Sequence, residues 1–205
     1  MTFPQLAAAA SYALLAAAVG GCANSPPSDF FVLTPMTEAV ELPSGPPPGE
    51  GFSLGIGPVK IPDYLNRAQI VTRAGPNRLD VNEFNRWGGS FATNLASVLA
   101  QNLSAILGTD DVFIFPADEA MDPRYRVVLS ILQFDGALGE NVVLDARWTI
   151  TGPRRSNQLD TGRSVVRQAT SSNTYEAYVA AQSQALETLS RELAAKIKQL
   201  LDKGA

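Results

Sequence analysis

Tyr125-Arg-Val-Val-Leu-Ser-Ile-Leu-Gln-Phe134 and, shortly after it, Asn141-Val-Val-Leu-Asp-Ala-Arg-Trp-Thr-Ile150 decide the architecture of this chain. The first run is apolar on both faces at Val127, Val128, Leu129, Ile131 and Leu132, the pattern of a strand in the middle of a sheet. The second alternates: Val142, Leu144, Ala146, Trp148 and Ile150 share one side, and Val143, Asp145, Arg147 and Thr149 the other. That is an antiparallel strand with one face in the core and one in water. Turn residues at 136–139 join these two strands, and those at 152–162 lead to a further strand over 163–170, which makes a meander.

The meander leads into a long helix. Asn173 and Glu176 have the spacing of a capping box. Tyr175, Val179, Gln182, Leu186, Leu189, Leu193, Ile197 and Leu200 then fall on one stripe. Upstream, Asp80-Val-Asn-Glu83 offers a second such box, and Phe84, Trp87, Phe91, Leu95, Val98, Leu99, Leu103 and Ile106 continue at helical intervals. The spacing predicts a helix from Asp80 to about Leu107, stopped by Gly108. Short strands are expected at 29–34, 52–61, 69–73 and 111–115, with Gly55, Gly57 and Pro58 marking a bulge or an edge. The fold class expected is α+β: an antiparallel or mixed sheet with two long helices packed on one face, in a single domain.

The N-terminal end has a different character. Residues 6–19 are uncharged and mostly apolar, and Gly20-Gly21-Cys22 follows. About 14 apolar residues are too few to span a bilayer comfortably and suit a signal-peptide core. The n-region, residues 1–5, carries no Lys or Arg. Val19-Gly20-Gly21-Cys22 resembles the lipobox of bacterial lipoproteins, in which the peptidase cuts before Cys and the Cys takes the acyl chains, palmitate among them. The organisation expected is a signal peptide over 1–21, an acylated tether over 22–28 and a folded domain over 29–205. Cys22 is the lipidation site. Ala23 after it, rather than Asp, points by the same resemblance to the outer membrane. Residues 35–51 are rich in Pro and Gly and read as a long exposed loop.

Composition removes several functions. The chain has no His and one Cys, so Ser-His-Asp and Cys-His centres and His-ligated metals are excluded. No metal ion and no cofactor is expected beyond the covalent acyl chains, and no enzyme activity. A net charge of −4 gives no basic face for nucleic acid. Asp110, Asp111, Asp118 and Glu119 lack calcium-loop spacing.

One stretch carries a family resemblance. Gly57-Pro-Val-Lys-Ile-Pro-Asp-Tyr-Leu-Asn-Arg67, then Gln69-Ile-Val-Thr-Arg73, then Asn85-Arg-Trp87, resembles the PqiC family of ABC-type transport auxiliary lipoproteins. The matching positions are Pro58, Val59, Pro62, Tyr64, Leu65, Arg67, Ile70, Val71, Arg73, Arg86 and Trp87. The resemblance implies an outer-membrane-anchored lipoprotein, on the periplasmic face, that works with an MCE-domain protein in lipid transport between the membranes. It also leaves room for a homo-oligomeric ring. Pro62, Tyr64, Arg67, Arg73 and Trp87 are the candidate partner-binding residues, since Tyr, Trp and Arg anchor many interfaces. The same five also suit a structural role: a turn at Pro62, packing by Tyr64 and Trp87, and Arg pairing with Asp63 or Glu83. Two other functions are a stand-alone periplasmic carrier of lipid or a small molecule, which needs an apolar cavity, and a His-free hydrolase, which needs a convergent catalytic pair.

Overall fold

The computed structural model describes residues 26–37, 52–118, 121–152 and 157–203. The expected signal peptide, Cys22 and most of the Pro-rich loop lie outside the described residues. Five strands form the larger sheet in the order β5-β2-β6-β7-β8: Val112–Ile114, Leu54–Lys60, Tyr125–Gly136, Asn141–Thr151 and Gln158–Ala169. β6 is central in the order, but its two faces are not equally covered: Val127, Leu129 and Ile131 are buried, while Val128 is half-buried and Leu132 exposed. β2 runs parallel to both β5 and β6, and β6, β7 and β8 form the antiparallel meander. A smaller sheet, β1-β4-β3, is built from Asp29–Phe31, Arg78–Trp87 and Gln69–Gly75. Helices α1 (Phe91–Leu107) and α2 (Tyr175–Asp202) both pack on the inner side of the larger sheet, so the α+β class holds.

Alternation decides what each face of the meander meets. Val142, Leu144, Ala146 and Ile150 are fully buried against the α2 stripe of Ala185, Leu186, Leu189, Leu193 and Ile197. Val143, Asp145, Arg147 and Thr149 lie on the opposite, helix-free face. Gly162 on β8 sits under the Trp148 ring, where a Cβ would collide with the indole. The Trp148 indole N–H donates to Ser164 Oγ at 3.0 Å, which satisfies its polar edge inside the core.

Three expectations change: the start of the first helix, the cap of the second, and the turn over 152–162, of which residues 158–162 already belong to β8 and pair with β7. The helix expected from Asp80 begins only at Phe91, because residues 78–87 are strand β4, paired with β1 on one side and β3 on the other. Asn82 turns this segment away from a helix: its Oδ1 accepts the backbone N–H of both Phe84 and Asn85, within a register shift of the β3–β4 ladder. Gly88 and Gly89 separate strand from helix, and Ser90 is the true cap, its Oγ accepting Thr93 N–H at 3.3 Å. On α2 the cap is Thr174 rather than Asn173, through Ala177 N–H to Oγ1. Of the two readings offered for Gly55, Gly57 and Pro58, the bulge holds, since β2 lies between β5 and β6 and is no edge. The bulge falls between Ile56 and Val59, with Gly57 at φ 104°.

The chain after β1 is tied down by side chains rather than by a sheet. Leu33 N–H donates to Asn94 Oδ1 at 2.7 Å, and Asn94 Nδ2 donates back to Leu33 O. Thr34 N–H reaches Ser183 Oγ and Met36 N–H reaches Asn102 Oδ1. Asn102 in turn donates to Ser190 Oγ on α2. Polar residues on the facing sides of α1 and α2 thus replace the missing ladder bonds of residues 33–36.

Candidate functional site

The family-like stretch folds around a buried carboxylate it does not itself contain. Pro62, at φ −59°, opens a short 3₁₀ turn, Asp63–Leu65. Leu65 drops into the core and Tyr64 projects toward the end of β6. There the Tyr64 hydroxyl donates to Asp135 Oδ2 at 2.6 Å. Arg73, near the end of β3, brings a fork to the same carboxylate: Nε to Oδ1 at 2.5 Å and Nη2 to Oδ2 at 3.1 Å. Gln133 Nε2 adds a fourth contact, to Oδ1 at 2.8 Å. Asp135 is 0% exposed, so these donors replace its water completely.

A second tie lies beside it. The Tyr178 hydroxyl, on α2, donates to Val71 O and accepts Gly136 N–H, both at 3.1 Å. Together the two tyrosines and Arg73 hold β3 and the 3₁₀ turn, and with them the smaller sheet, to the end of β6 and to α2. Burial, and then the Asp135 carboxylate, push the Tyr64 phenol well above its usual range. The Tyr178 phenol is raised too, chiefly by burial. The hydrogen bond to Asp135 raises the Arg73 guanidinium, so the fork stays charged.

The five candidate residues therefore do not form one patch. Tyr64 and Arg73 converge on Asp135. Trp87 is only 6% exposed and stacks on Phe91 at 4.5 Å between ring centroids, with Phe91 in turn against Phe134. Pro62 is half-buried at the turn, and Arg67 is exposed beyond it. The pairing of Arg with Asp63 or Glu83 is not what forms around Arg73. Its partner is Asp135, 62 residues away, while Glu83 accepts from Gln69 Nε2. Asp135 was the residue missed: an Asp closing an apolar strand looks like the start of a turn, and nothing local marks it as buried.

Of the acidic residues weighed as calcium ligands, Glu119 lies outside the described residues and two others have local hydrogen bonds. Asp118 accepts Ile114 N–H, and Thr109 caps Asp111 N–H. Among the described residues no three of His, Cys, Asp and Glu gather as a metal site, and no helix is long and apolar enough to cross a membrane. A cleft of about 350 Å³ runs between residues 34–37 and the α2 side chains Ser183, Gln184 and Glu187.

Residues 31–194 match the family model for the ABC-type transport auxiliary lipoprotein component. Among solved structures, an uncharacterized protein is similar at a TM-score of 0.68 and 18% identity, over 84% of this chain and 99% of that one. Protein XCC0632 from Xanthomonas campestris is similar at 0.66 and 16% identity, over 86% and 100%. At these identities the likeness speaks to the fold. Among curated proteins, none matches the sequence.

Proposed function

We propose, because the chain belongs to the family of ABC-type transport auxiliary lipoprotein components, that it is the lipid-anchored accessory subunit of an MCE-type lipid transport system. Cys22 carries the acyl chains and holds the domain on the periplasmic face of the outer membrane. The folded part docks or stabilises the periplasmic end of an MCE-domain assembly that conducts lipid between the membranes. The role is structural, without catalysis or cofactor. At about 0.8 kcal/mol for each buried CH₂, two or more acyl chains make the anchoring effectively permanent.

The observation that carries this reading is the placement of the matched region. It begins at residue 31, nine positions after a Cys that closes an apolar run. The geometry around Asp135 supports a rigid docking body. Tyr64 and Arg73 lock the turn that presents Pro62 and Arg67, and those two are the partner-facing residues of the motif. The carrier alternative draws less support, because Leu54, Ile56, Leu95, Leu99, Leu129 and Leu144 fill the space between sheet and helices.

A mild-detergent pull-down of wild type and Cys22→Ala, with membrane fractionation and mass spectrometry of partners, tests the proposal. Wild type is expected in the outer membrane with an MCE-domain protein, and Cys22→Ala is expected to leave that membrane. Anchored wild type that brings down no transporter subunit would sink the transport role and leave the anchor.

A further inference from the structure

Phe30 is 68% exposed and Val32 54% exposed, the two most exposed large apolar side chains among the described residues. They are not a frayed end. Phe31 and Leu33, between and after them, turn inward: Phe31 packs beside Tyr175, and Leu33 is 2% exposed. β1 is paired in register with β4, and Gly88 N–H closes on Phe31 O at 2.8 Å. Leu33 is clamped on both sides of its peptide unit by Asn94. With the backbone fixed, alternation sends Phe30 and Val32 to the outer side of the smaller sheet. Arg86 sits opposite Phe30 in the ladder and shares that side.

We infer that Phe30 and Val32 form a membrane-contact patch that seats the domain on the lipid surface carrying its anchor. This rests on the proposed acylation of Cys22. Phe30 follows Cys22 by eight residues, a span of at most about 28 Å even when fully extended. An anchored Cys22 therefore keeps a bilayer within reach of this patch at all times. The chemistry fits an interface: an aromatic ring and a branched aliphatic for the acyl boundary, with a guanidinium beside them for phosphate. The segment between carries a single charge, Asp29.

The test uses the full acylated chain in phosphatidylcholine–phosphatidylglycerol vesicles with brominated acyl chains, which quench tryptophan at short range. Both native tryptophans are buried, so an added one at the surface reports by difference. Phe30→Trp is expected to be quenched about twofold more strongly than Val165→Trp, which sits on the outer face of β8. Val32→Trp should behave like Phe30→Trp. Equal quenching at positions 30 and 165 overturns the inference. A blue-shifted but unquenched Phe30→Trp also overturns it, and shows a protein surface, a second copy included, covering the patch. Acyl mass on Cys22 is measured on the same samples: its absence defeats the anchor reading and this inference together, whereas its presence without quenching defeats this inference alone.

Discussion

Asp135 and Asp145 lie on neighbouring strands of one sheet, and each takes a forked arginine. Arg73 meets Asp135 at 2.5 and 3.1 Å, and Arg163 meets Asp145 at 2.8 and 2.6 Å. The local chemistry is nearly the same. The surroundings are not. Asp135 is sealed beneath the 3₁₀ turn and β3, with Tyr64 and Gln133 as further donors, and its arginine is 30% exposed. Asp145 is 13% exposed on the open face of β7, and Arg163 stands 55% exposed across from Arg147. Water competes for the second pair and salt screens it. Neither reaches Asp135, so a missing partner there leaves a carboxylate with no substitute solvent. Length and angle alone do not rank these two bridges; burial does.

Removing Arg73 is the strongest way to break the comparison. Arg73→Ala leaves Asp135 buried with only Tyr64 and Gln133 as side-chain donors, and is expected to lower unfolding free energy by about 3–5 kcal/mol. Urea denaturation measures it. Arg73→Lys keeps the charge but loses the fork, and should fall between wild type and Arg73→Ala. Destabilisation by Arg73→Ala no greater than by Arg163→Ala would mean that burial does not set the difference.

Tyr64→Phe sharpens the comparison by removing one donor while leaving the ion pair. The expected loss is about 2 kcal/mol, the scale of a hydrogen bond to a charged acceptor. Its pH dependence has a definite sign. The Tyr64 phenol is raised on folding, so its protonated form is favoured in the native state. That contribution is complete below the unfolded tyrosine value of about 10 and is lost as pH rises above it. Wild type and Tyr64→Phe should therefore differ most at neutral pH and converge in alkaline solution, in paired denaturation curves. A gap that stays constant to high pH would remove the phenol from the account.

The two regions were also unequally legible. β7 and α2 declare themselves because each is long and its period is unbroken, and β6 through its long apolar run, although a register shift between Ile131 and Gln133 breaks its alternation just before Asp135. The open face with Asp145 and Arg147 could be read directly. The Asp135 site could not, since its members come from the 3₁₀ turn, β3 and β6, and no spacing links them. The motif supplied Tyr64 and Arg73 but not the carboxylate they serve. The misreading of residues 78–90 has a specific cause. Phe84, Trp87 and Phe91 fall at intervals of three and four, and Asp80 and Glu83 mimic a box. Yet Trp87 is buried by pairing with Phe31 and stacking on Phe91, not by a helical stripe. Gly88-Gly89 with Ser90 three residues before Thr93 was the sign of a late start, outweighed by an accidental periodicity.

The smallest effect belongs to the exposed pair. The Arg163 hydrogen bond holds the Asp145 carboxyl below its usual range, so whatever this pair contributes is present above the unfolded carboxylate value of about 4 and lost as pH falls through the folded one. Its size is limited by solvent around Arg163 and by Arg147, which already faces the same carboxylate and remains when Arg163 is gone. Removing Arg163 also removes a like-charge neighbour from Arg147, directly opposite in the ladder, which offsets part of the loss. Arg163→Ala should therefore leave the urea midpoint at pH 7 within experimental scatter of wild type, at both low and high salt. A clear, salt-sensitive drop would show that the open face is electrostatically stiffer than its exposure implies, and the contrast with Asp135 would have to be drawn from the number of donors instead of from burial.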